Sequence, residues 1–202
     1  MNVLVAGATG KTGIRIIHEL KNNGHTPLAL VRESSNAEAL PSDIDLRHGD
    51  LTDLHDGICE GCDAVIFAAG SGGSTGDEMT DKVDRDGAIS LIDHAKKANV
   101  SHFVMLSTVG AEEPNPNSEL AHYLQAKHEA DEHLKKSDLS YTILRPVSLT
   151  DDAGVRDMRF GDEVDPKGKA ARGDVAAVLA NAIDDPEWWL GKITLMQSAR
   201  LT

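Results

Sequence analysis

The sequence predicts a single doubly wound α/β domain with a mainly parallel sheet and helices on both faces. Short apolar, β-branched runs alternate with longer segments of helical periodicity almost from end to end, which is the pattern of parallel strands joined by helical crossovers. Most of the apolar runs are nearly continuous, as expected for strands buried on both faces of a sheet. No linker, repeat or composition shift divides the 202 residues, so we expect one domain over residues 1–202.

Seven strands and four main helices are predicted in order along the chain. The strands are the apolar runs 2–6, 27–31, 45–48, 64–68, 102–107, 141–144 and 192–196. The helices are marked by apolar residues three or four positions apart, around residues 14–20, 89–95, 120–134 and 175–183. Three stretches of weak periodicity, about 71–78, 110–118 and 147–170, are predicted to be loops that build a small substrate cleft.

Composition and charge exclude several classes of function. Asp and Glu number 33 and Lys and Arg 20, which gives a formal net charge of −13. Such a surface repels nucleic-acid phosphates and anionic lipids, so we expect neither partner. No uncharged apolar run approaches the roughly 18 residues that span a bilayer, and no basic stretch precedes the short apolar run at the amino end. We therefore expect a cytoplasmic protein without a secretory signal.

The cysteines, histidines and clustered acidic residues favour structural interpretations. Cys59 and Cys62 form one C-x-x-C, but it precedes a predicted strand, whereas redox-active pairs begin a helix; redox use is the alternative. Histidines at spacings of six and five do not share one helix face, so we expect surface residues and no metal site. They are His122, His128 and His133. A charged first turn and solvated face is the interpretation of Asp77, Glu78, Asp81, Asp84 and Asp86.

The most specific motif lies near the start of the chain, where a strand is followed by the run GATGKTG and then a helix. Glycines permit a tight turn and let backbone N–H groups approach a pyrophosphate at the positive end of the helix dipole. This order predicts dinucleotide binding by a Rossmann-type fold, with a merely tight strand–helix turn as the alternative. The residues predicted to hold the pyrophosphate are Gly7, Thr9, Gly10, Lys11, Thr12 and Gly13.

The end of the second predicted strand selects the nucleotide. An acidic residue about 20 positions after the glycines is typical of NAD, but Arg32 stands there, followed by Glu33 and two serines. Arginine can bind a 2′-phosphate through two parallel charge-assisted hydrogen bonds. NADP is therefore favoured as the cofactor. Glu33 leaves NAD open, and a solvated arginine is the other interpretation.

Together these motifs resemble the short-chain dehydrogenase/reductase superfamily, and more narrowly its short atypical, epimerase-like branch related to NmrA-like proteins. The similarity is carried by GATGKTG, Leu-Val-Arg at 30–32, His-Gly-Asp-Leu at 48–51 and Phe-Ala-Ala-Gly at 67–70, and it extends through Tyr-Thr-Ile-Leu-Arg-Pro at 141–146. The resemblance implies that Asp50 and Leu51 lie beside the adenine and that Pro146 and Val147 face the nicotinamide. It also implies that the ribose is lined by Ala68, Ala69 and Gly70.

Tyr123 and Lys127 form Y-x-x-x-K, which places both side chains on one face of a helix. A neighbouring ammonium is expected to lower the pKa of the phenol. The pair could then exchange a proton with a carbonyl oxygen while hydride moves to or from the nicotinamide. The resemblance adds that Lys127 holds the nicotinamide ribose. Ser107, with Thr108 next, ends the fifth strand and is the predicted anchor for the reacting oxygen. The alternative is that Lys127 positions the ribose and Tyr123 only packs.

Two departures from the superfamily bear on function. Asp84 stands where members often carry an asparagine, and it could either hold Lys127 or spoil the proton relay. The carboxyl-terminal part is short, so the substrate is small or lies in an open cleft.

We predict an NADP(H)-binding oxidoreductase that transfers hydride to or from a small carbonyl or related acceptor. The alternatives are an NmrA-like nucleotide-state sensor without turnover and a flavin- or quinone-type reductase that does not need Tyr123. A monomer or homodimer is expected, and Trp188 and Trp189 could cap the core or lie in a dimer contact.

Overall fold

In the computed structural model, which describes residues 1–72 and 76–201, an eight-stranded sheet forms the centre of the molecule. The strands are β1 (Asn2–Ala6), β2 (Thr26–Val31), β3 (Asp45–His48), β4 (Ala64–Phe67), β5 (His102–Leu106), β6 (Tyr141–Pro146), β7 (Ser148–Thr150), β8 (Met158–Phe160), β9 (Lys169–Ala171) and β10 (Ile193–Ser198). The sheet order is β3-β2-β1-β4-β5-β6-β10-β8, and β7 pairs with β9 apart from it. Only β8 runs antiparallel to its neighbour among these pairings, so the predicted mainly parallel sheet is confirmed.

Helices cover both faces of this sheet. They are α1 (Lys11–Asn22), α2 (Gly76–Thr80), a π-helix (Asp81–Gly87), α3 (Ala88–Lys97), α4 (Ala121–Lys136), α5 (Arg172–Asp184) and α6 (Pro186–Trp189). The inner faces of α1 and α5 share one apolar core with Val3 and Val5 of β1. The inner faces of α3 and α4 share a second core with Leu4 and Ala6. Successive residues of β1 therefore point to opposite cores, which explains the continuous apolar run in the sequence.

The carboxyl-terminal stretch 147–170 differs from its prediction as a loop, because it contains the three short strands β7, β8 and β9. Strands of three residues are too short to show a periodicity, so no sequence pattern marks them. The stretch 110–118 is irregular, as predicted. Of the stretch 71–78, residues 73–75 lie outside the described residues, and 76–78 begin α2.

The interpretation of the acidic group as solvated is wrong for one member, because Asp84 is only 1% exposed. The two cysteines lie buried beside Arg47, whose guanidinium donates to Cys62 Sγ at 3.3 Å. Burial raises the pKa of Cys59 to about 12, which disfavours the reactive thiolate and fits a structural role. Trp189 is buried and packs edge-on against Phe160, whereas Trp188 is exposed. In residues 1–72 and 76–201 no helix has the length and apolar character needed to cross a membrane.

Candidate functional site

The turn between β1 and α1 is too tightly packed to carry side chains at two of its glycines. Gly7 has φ +82°, and a Cβ there would lie 2.6 Å from Ala69 N and 2.7 Å from Ala68 O. A Cβ at Gly13 would lie 2.0 Å from Gly7 O. The turn is closed by Gly10 N, which donates to Gly7 O at 3.0 Å. Gly7 therefore lets the turn pack directly against the loop that follows β4, and Gly13 lets the start of α1 pack directly against the turn.

A cavity of about 520 Å³ lies against this turn, at the carboxyl ends of β1 to β4. Its lining includes most of the predicted cofactor residues, namely Gly7, Thr9, Gly10, Arg32, Asp50, Leu51, Ala68, Ala69 and Gly70. The opposite wall, formed by Met79, Lys82 and Val83, was not predicted. These residues belong to α2 and the π-helix, and only the fold brings them across from the phosphate loop.

Arg32 and Ser35 line one end of the cavity, whereas Glu33 is not among the lining residues. Ser35 Oγ accepts a hydrogen bond from Arg32 N at 3.1 Å, which fixes the turn after β2. Asp50 lies near the same end. Its pKa is lowered mainly by the Thr52 N–H that its carboxylate accepts, and also by Arg32. Glu33, the residue that left NAD open as the cofactor, therefore lies outside the cavity lining, whereas Arg32 is part of it.

Several predicted cofactor residues lie outside this lining. Thr12, Gly13 and Val147 are buried, and Pro146 ends β6. Lys11 is exposed, and its Nζ donates to Asp151 Oδ2 at 2.5 Å. The phosphate loop is thereby joined to the segment after β7.

Lys127 of α4 is 2% exposed, and its Nζ donates to Leu106 O at the end of β5, at 2.9 Å. The same nitrogen lies 5.6 Å from the centre of the Phe67 ring. Burial lowers the pKa of Lys127, and the carboxylates of Asp84 and Asp131 act against this by favouring the ammonium. The predicted lysine therefore reaches the carboxyl ends of β4 and β5 from inside the protein.

Asp131, one helical turn beyond Lys127, is fully buried and was not predicted. Its Oδ2 accepts from Ser107 Oγ at 2.7 Å and from Arg145 Nε and Nη2 at 3.1 and 2.9 Å. Its Oδ1 has no hydrogen-bond partner in the described part of the chain. Burial raises the pKa of Asp131, while Ser107, Arg145 and Lys127 oppose the rise. The hydroxyl of Ser107, the predicted substrate anchor, thus donates its hydrogen bond to a buried carboxylate.

The expectation that Lys127 lowers the pKa of Tyr123 is wrong. Burial raises the pKa of this phenol, and the negative charges of Asp84 and Asp131 raise it further. Desolvation of the partly buried ring and the two carboxylates thus act in the direction opposite to the predicted effect of the ammonium. Tyr123 is therefore protonated at neutral pH and enters any reaction as a hydrogen-bond donor.

Asp84 lies in the π-helix, between the cavity and the α4 residues. Its Oδ2 accepts from Ser71 N at 2.9 Å, and its Oδ1 would lie 3.2 Å from a Cβ at Gly70. The carboxylate thus fixes the loop after β4 and also places its negative charge near Lys127 and Tyr123. A π-helical segment at this position agrees with the frequent location of such segments at functional sites.

A family model described as NAD(P)H-binding matches residues 7–186. The chain belongs to this NAD(P)H-binding family. It is 35% identical over 195 residues to YhfK of Bacillus subtilis (strain 168), named an uncharacterised sugar epimerase, with 92% of this chain and 89% of the relative covered. A solved structure from Bacillus halodurans, provisionally named an NAD-dependent epimerase/dehydratase, has a TM-score of 0.90 and 36% identity over 98% of this chain and 94% of that chain.

A further relative carries a different kind of name. The photosystem II assembly factor Ycf39 of Trieres chinensis is 31% identical over 150 residues, which cover 72% of this chain and 45% of the relative. The chain is thus similar both to proteins named as epimerases and to a protein named as an assembly factor. The predicted resemblance to the epimerase-like, nucleotide-binding branch is confirmed.

Proposed function

We propose that this protein is an NADP(H)-dependent oxidoreductase that transfers hydride between its cofactor and a small carbonyl compound or related acceptor. The observation that carries the proposal is a glycine-walled cavity at the carboxyl ends of β1 to β4. The buried Lys127 reaches the end of the neighbouring strand β5, although it is not part of the cavity lining. A family that binds NAD(P)H and a cavity at the carboxyl ends of parallel strands both support a dinucleotide there.

The cavity residues fit the cofactor by shape and by charge. Any side chain at Gly7 or Gly13 would collide with backbone, so the turn offers its amides at the start of α1. In our proposal, Thr9 and Gly10 hold the diphosphate and Arg32 holds the 2′-phosphate. Asp50 and Leu51 flank the adenine, and Lys127 holds the nicotinamide ribose. When bound, the nicotinamide supplies or accepts the hydride.

The side chains of α4 supply the proton. Tyr123 is protonated, so it donates to the carbonyl oxygen of the substrate. Its phenolate, once formed, is stabilised by the ammonium of Lys127 on the same helix face. Asp84 and Asp131 favour that ammonium despite its burial. In this scheme the two carboxylates keep the lysine charged, and the lysine makes the tyrosine able to release its proton.

Calorimetric titration of an Arg32→Ala variant with NADP and NAD tests the cofactor preference. We expect a selective loss for NADP of about 1.5–3 kcal/mol, because hydrogen bonds to charged groups contribute on this scale. Glu33→Ala is the matched control, since it removes a neighbouring charge that does not line the cavity. Equal losses for both cofactors in Arg32→Ala would show that the guanidinium does not recognise the 2′-phosphate.

Turnover by a Tyr123→Phe variant tests the proton donor. We expect unchanged NADPH affinity and a loss of roughly 10²–10⁴-fold in carbonyl reduction, the usual contribution of general acid catalysis. NADPH oxidation with carbonyl, flavin and quinone acceptors is the measurement. Full NADPH oxidation with flavin or quinone acceptors in this variant would instead assign the flavin- or quinone-type reaction.

A second candidate function is nucleotide binding without turnover, as a protein that reports the state of its cofactor to a partner. The similarity to a protein named as a photosystem II assembly factor favours this candidate. The raised pKa of Tyr123 also favours it, because a phenol with a raised pKa is a weaker acid. Tight, selective cofactor binding together with no NADPH oxidation across the acceptor panel would establish it over the oxidoreductase.

A further inference from the structure

Three basic side chains converge on one aspartate beside the phosphate loop. Asp151 Oδ2 accepts from Lys11 Nζ at 2.5 Å, and Asp151 Oδ1 accepts from Arg172 Nη1 at 2.6 Å. Arg15 Nη2 donates to the backbone oxygen of Asp151 at 2.9 Å. Among residues 1–72 and 76–201, Asp151 supplies the one carboxylate that forms an ion pair with this basic cluster, Lys11, Arg15 and Arg172. The cations therefore outnumber the carboxylate.

The cluster lies at the positive ends of two helices. Lys11 is the first residue of α1 and Arg172 the first residue of α5, and neither helix has a side-chain cap. The first turn of α1 contains no acidic residue. Asp174, in the first turn of α5, is buried and accepts hydrogen bonds from Ser198 Oγ and Arg156 N. The helix dipoles thus add to the charge of the cluster, which makes this region attractive to anions in a chain of net charge −13.

The carboxylate of Asp151 is not needed to hold its own segment in place. Gly173 N donates to Asp152 O at 3.2 Å, and Arg156 Nη1 donates to Gly173 O at 2.9 Å. These contacts, with the Arg15 bond to the backbone of Asp151, fix the segment against α1 and α5. The side chain of Asp151 is 55% exposed, and exposed ion pairs contribute little to stability. The carboxylate can therefore leave the cluster while the cations stay together.

A phosphate group fits the cluster better than a carboxylate does. It carries a charge of about −1.5 to −2 at pH 7 and offers three strong acceptor oxygens. Arginine binds phosphate through two parallel hydrogen bonds, and lysine binds it as a compact charge. Three cations and two helix ends thus match a phosphate, with which the carboxylate of Asp151 competes.

The cluster is separate from the proposed cofactor cavity, because none of its three side chains is part of the lining. Asp151 follows β7 directly and is four residues beyond Val147. Four residues span at most about 14 Å, and the resemblance implies that Val147 faces the nicotinamide. The cluster therefore lies within reach of a small molecule bound at that end of the cofactor.

We infer that Lys11, Arg15 and Arg172 form an anion-binding site for the phosphate group of a small substrate, and that the carboxylate of Asp151 occupies this site until the substrate binds. The substrate class is small phosphorylated carbonyl compounds. The inference rests on the proposed function, because it takes the ligand of this site to be the hydride acceptor.

The first test is a titration with inorganic phosphate, followed through the backbone amide signals in NMR spectra. The protein is saturated with NADP, so that the phosphate loop is filled, and NaCl keeps the ionic strength constant. We expect a saturable shift of the signals of Asp151 and Arg172. Phosphate binding that leaves these signals unchanged, or that NADP abolishes, would overturn the inference.

Asp151→Asn removes the competing charge and keeps the size of the side chain. We expect about tenfold tighter phosphate binding, the scale of one charge-assisted hydrogen bond. Asp43→Asn is the matched control, since it removes the same charge from an exposed ion pair with Lys21 at the other end of α1. Its phosphate affinity should equal that of the wild type. Equal gains in both variants would show only an effect of net charge and would contradict the inference.

Arg172→Gln removes a cation that lies outside the cofactor cavity. We expect phosphate binding to weaken by about tenfold, with unchanged NADPH affinity by fluorescence. In NADPH oxidation, dihydroxyacetone phosphate should have a higher kcat/KM than dihydroxyacetone, and Arg172→Gln should remove this advantage. Unchanged phosphate affinity in the variant, or a preference for dihydroxyacetone, would overturn the inference.

Failure of this inference is distinguishable from failure of the proposed function. Absence of NADPH binding by the wild type would remove the proposed function and, with it, the assignment of the ligand as a hydride acceptor. Normal NADPH binding without a saturable phosphate shift at Asp151 and Arg172 would remove this inference alone.

Discussion

Lys127, Asp84 and Asp131 form a buried charge group in which one ammonium faces two carboxylates. A buried charge without a partner is strongly destabilising, so each member depends on the others. Arg145 also forms an ion pair with Asp131, so the second carboxylate of the group has a cation of its own. Tyr123 stands on the same helix face as Lys127, but burial and the nearby carboxylates of Asp84 and Asp131 raise its pKa and keep its proton in place. The chemistry of the site at residue scale is thus set by the carboxylates as much as by the Tyr–Lys pair.

The burial of His102, at the start of β5, leads us to expect that the free energy of unfolding falls at acid pH. It is 3% exposed, its Nε2 lies 2.9 Å from Thr142 Oγ1, and burial lowers its pKa from 6.5 to about 4. Between these two values the unfolded chain binds the proton and the folded protein does not, so stability is lost as pH falls from 6.5 towards 4. The full loss is about 3 kcal/mol.

Urea unfolding of the wild type and of His102→Gln at pH 7.5 and 4.5 measures this effect. The variant lacks the titrating group, so its stability should fall less between the two pH values than that of the wild type. His48→Gln, which replaces an exposed histidine, is the control and should follow the wild type. Parallel losses in the wild type and His102→Gln would contradict the assignment.

At residue scale the sequence allowed the Tyr123–Lys127 pair to be predicted, because a spacing of four is a local property of a helix. The role of Asp131 could not be predicted in the same way. It repeats that spacing, but its partners Ser107 and Arg145 come from the ends of β5 and β6, and only the sheet brings them to α4. The pKa of Tyr123 was predicted in the wrong direction for the same reason, since Asp84 reaches it from another helix.

The β1–α1 turn is the element on which the cofactor site depends most directly. A Cβ at Gly13 would lie 2.0 Å from Gly7 O, whereas a Cβ at Gly10 would lie 3.2 Å from the same atom. We expect Gly13→Ala to cost about 3 kcal/mol of folding stability through overpacking and to abolish NADPH binding. Gly10→Ala should cost clearly less. Alanine has a higher helix propensity than glycine, so a loss of folding stability in Gly13→Ala must come from the contact with Gly7 and not from helix propensity.

Chemical denaturation of both variants measures the loss of folding stability. NADPH fluorescence in buffer without denaturant, where the variants are folded, measures cofactor binding. A Gly13→Ala protein as stable as Gly10→Ala would show that α1 can shift away from β1 without cost. Normal NADPH binding by Gly13→Ala would show that the close approach of α1 to Gly7 is not required for the cofactor site.

The helical segment after residue 76 shows what local sequence does not reveal about an element. Its period changes from α to π over Asp81–Gly87 and back to α at Ala88. The extra residue in each turn leaves no mark in the apolar pattern. Its effect is tertiary: Asp84 faces Ser71, and Gly87 packs where a Cβ would lie 3.0 Å from Leu51 O. The strong periodicity of α3, by contrast, was sufficient to predict that helix.

In the whole molecule, the cavity lies where the strand order reverses. The chain passes from β1 outward to β2 and β3, and then returns to the other side of β1 with β4. Beyond the contact of Gly7 with Ala68 and Ala69, the chain after β1 continues to one face of the sheet and the chain after β4 to the other, and the crevice lies at this point. The predicted pyrophosphate residues Gly7, Thr9 and Gly10 lie in this crevice. The reversal of strand order was not predicted, because it depends on the pairing of β4 with β1, which has no local sequence signal.

The net charge of −13 predicts an unusual salt dependence for cofactor association. NADPH is itself an anion, so long-range repulsion slows its approach at low ionic strength, although Arg32 and Lys82 line the cavity. Raising NaCl from about 0.01 M to about 0.15 M shortens the Debye length from about 30 Å to about 8 Å. We expect the association rate constant for NADPH, measured by stopped-flow fluorescence, to rise severalfold over this range.

Arg32→Ala should show a similar or steeper rise, because the repulsion belongs to the whole surface. An association rate that falls with salt in the wild type, and no longer falls in Arg32→Ala, would mean instead that the cations of the cavity steer the cofactor.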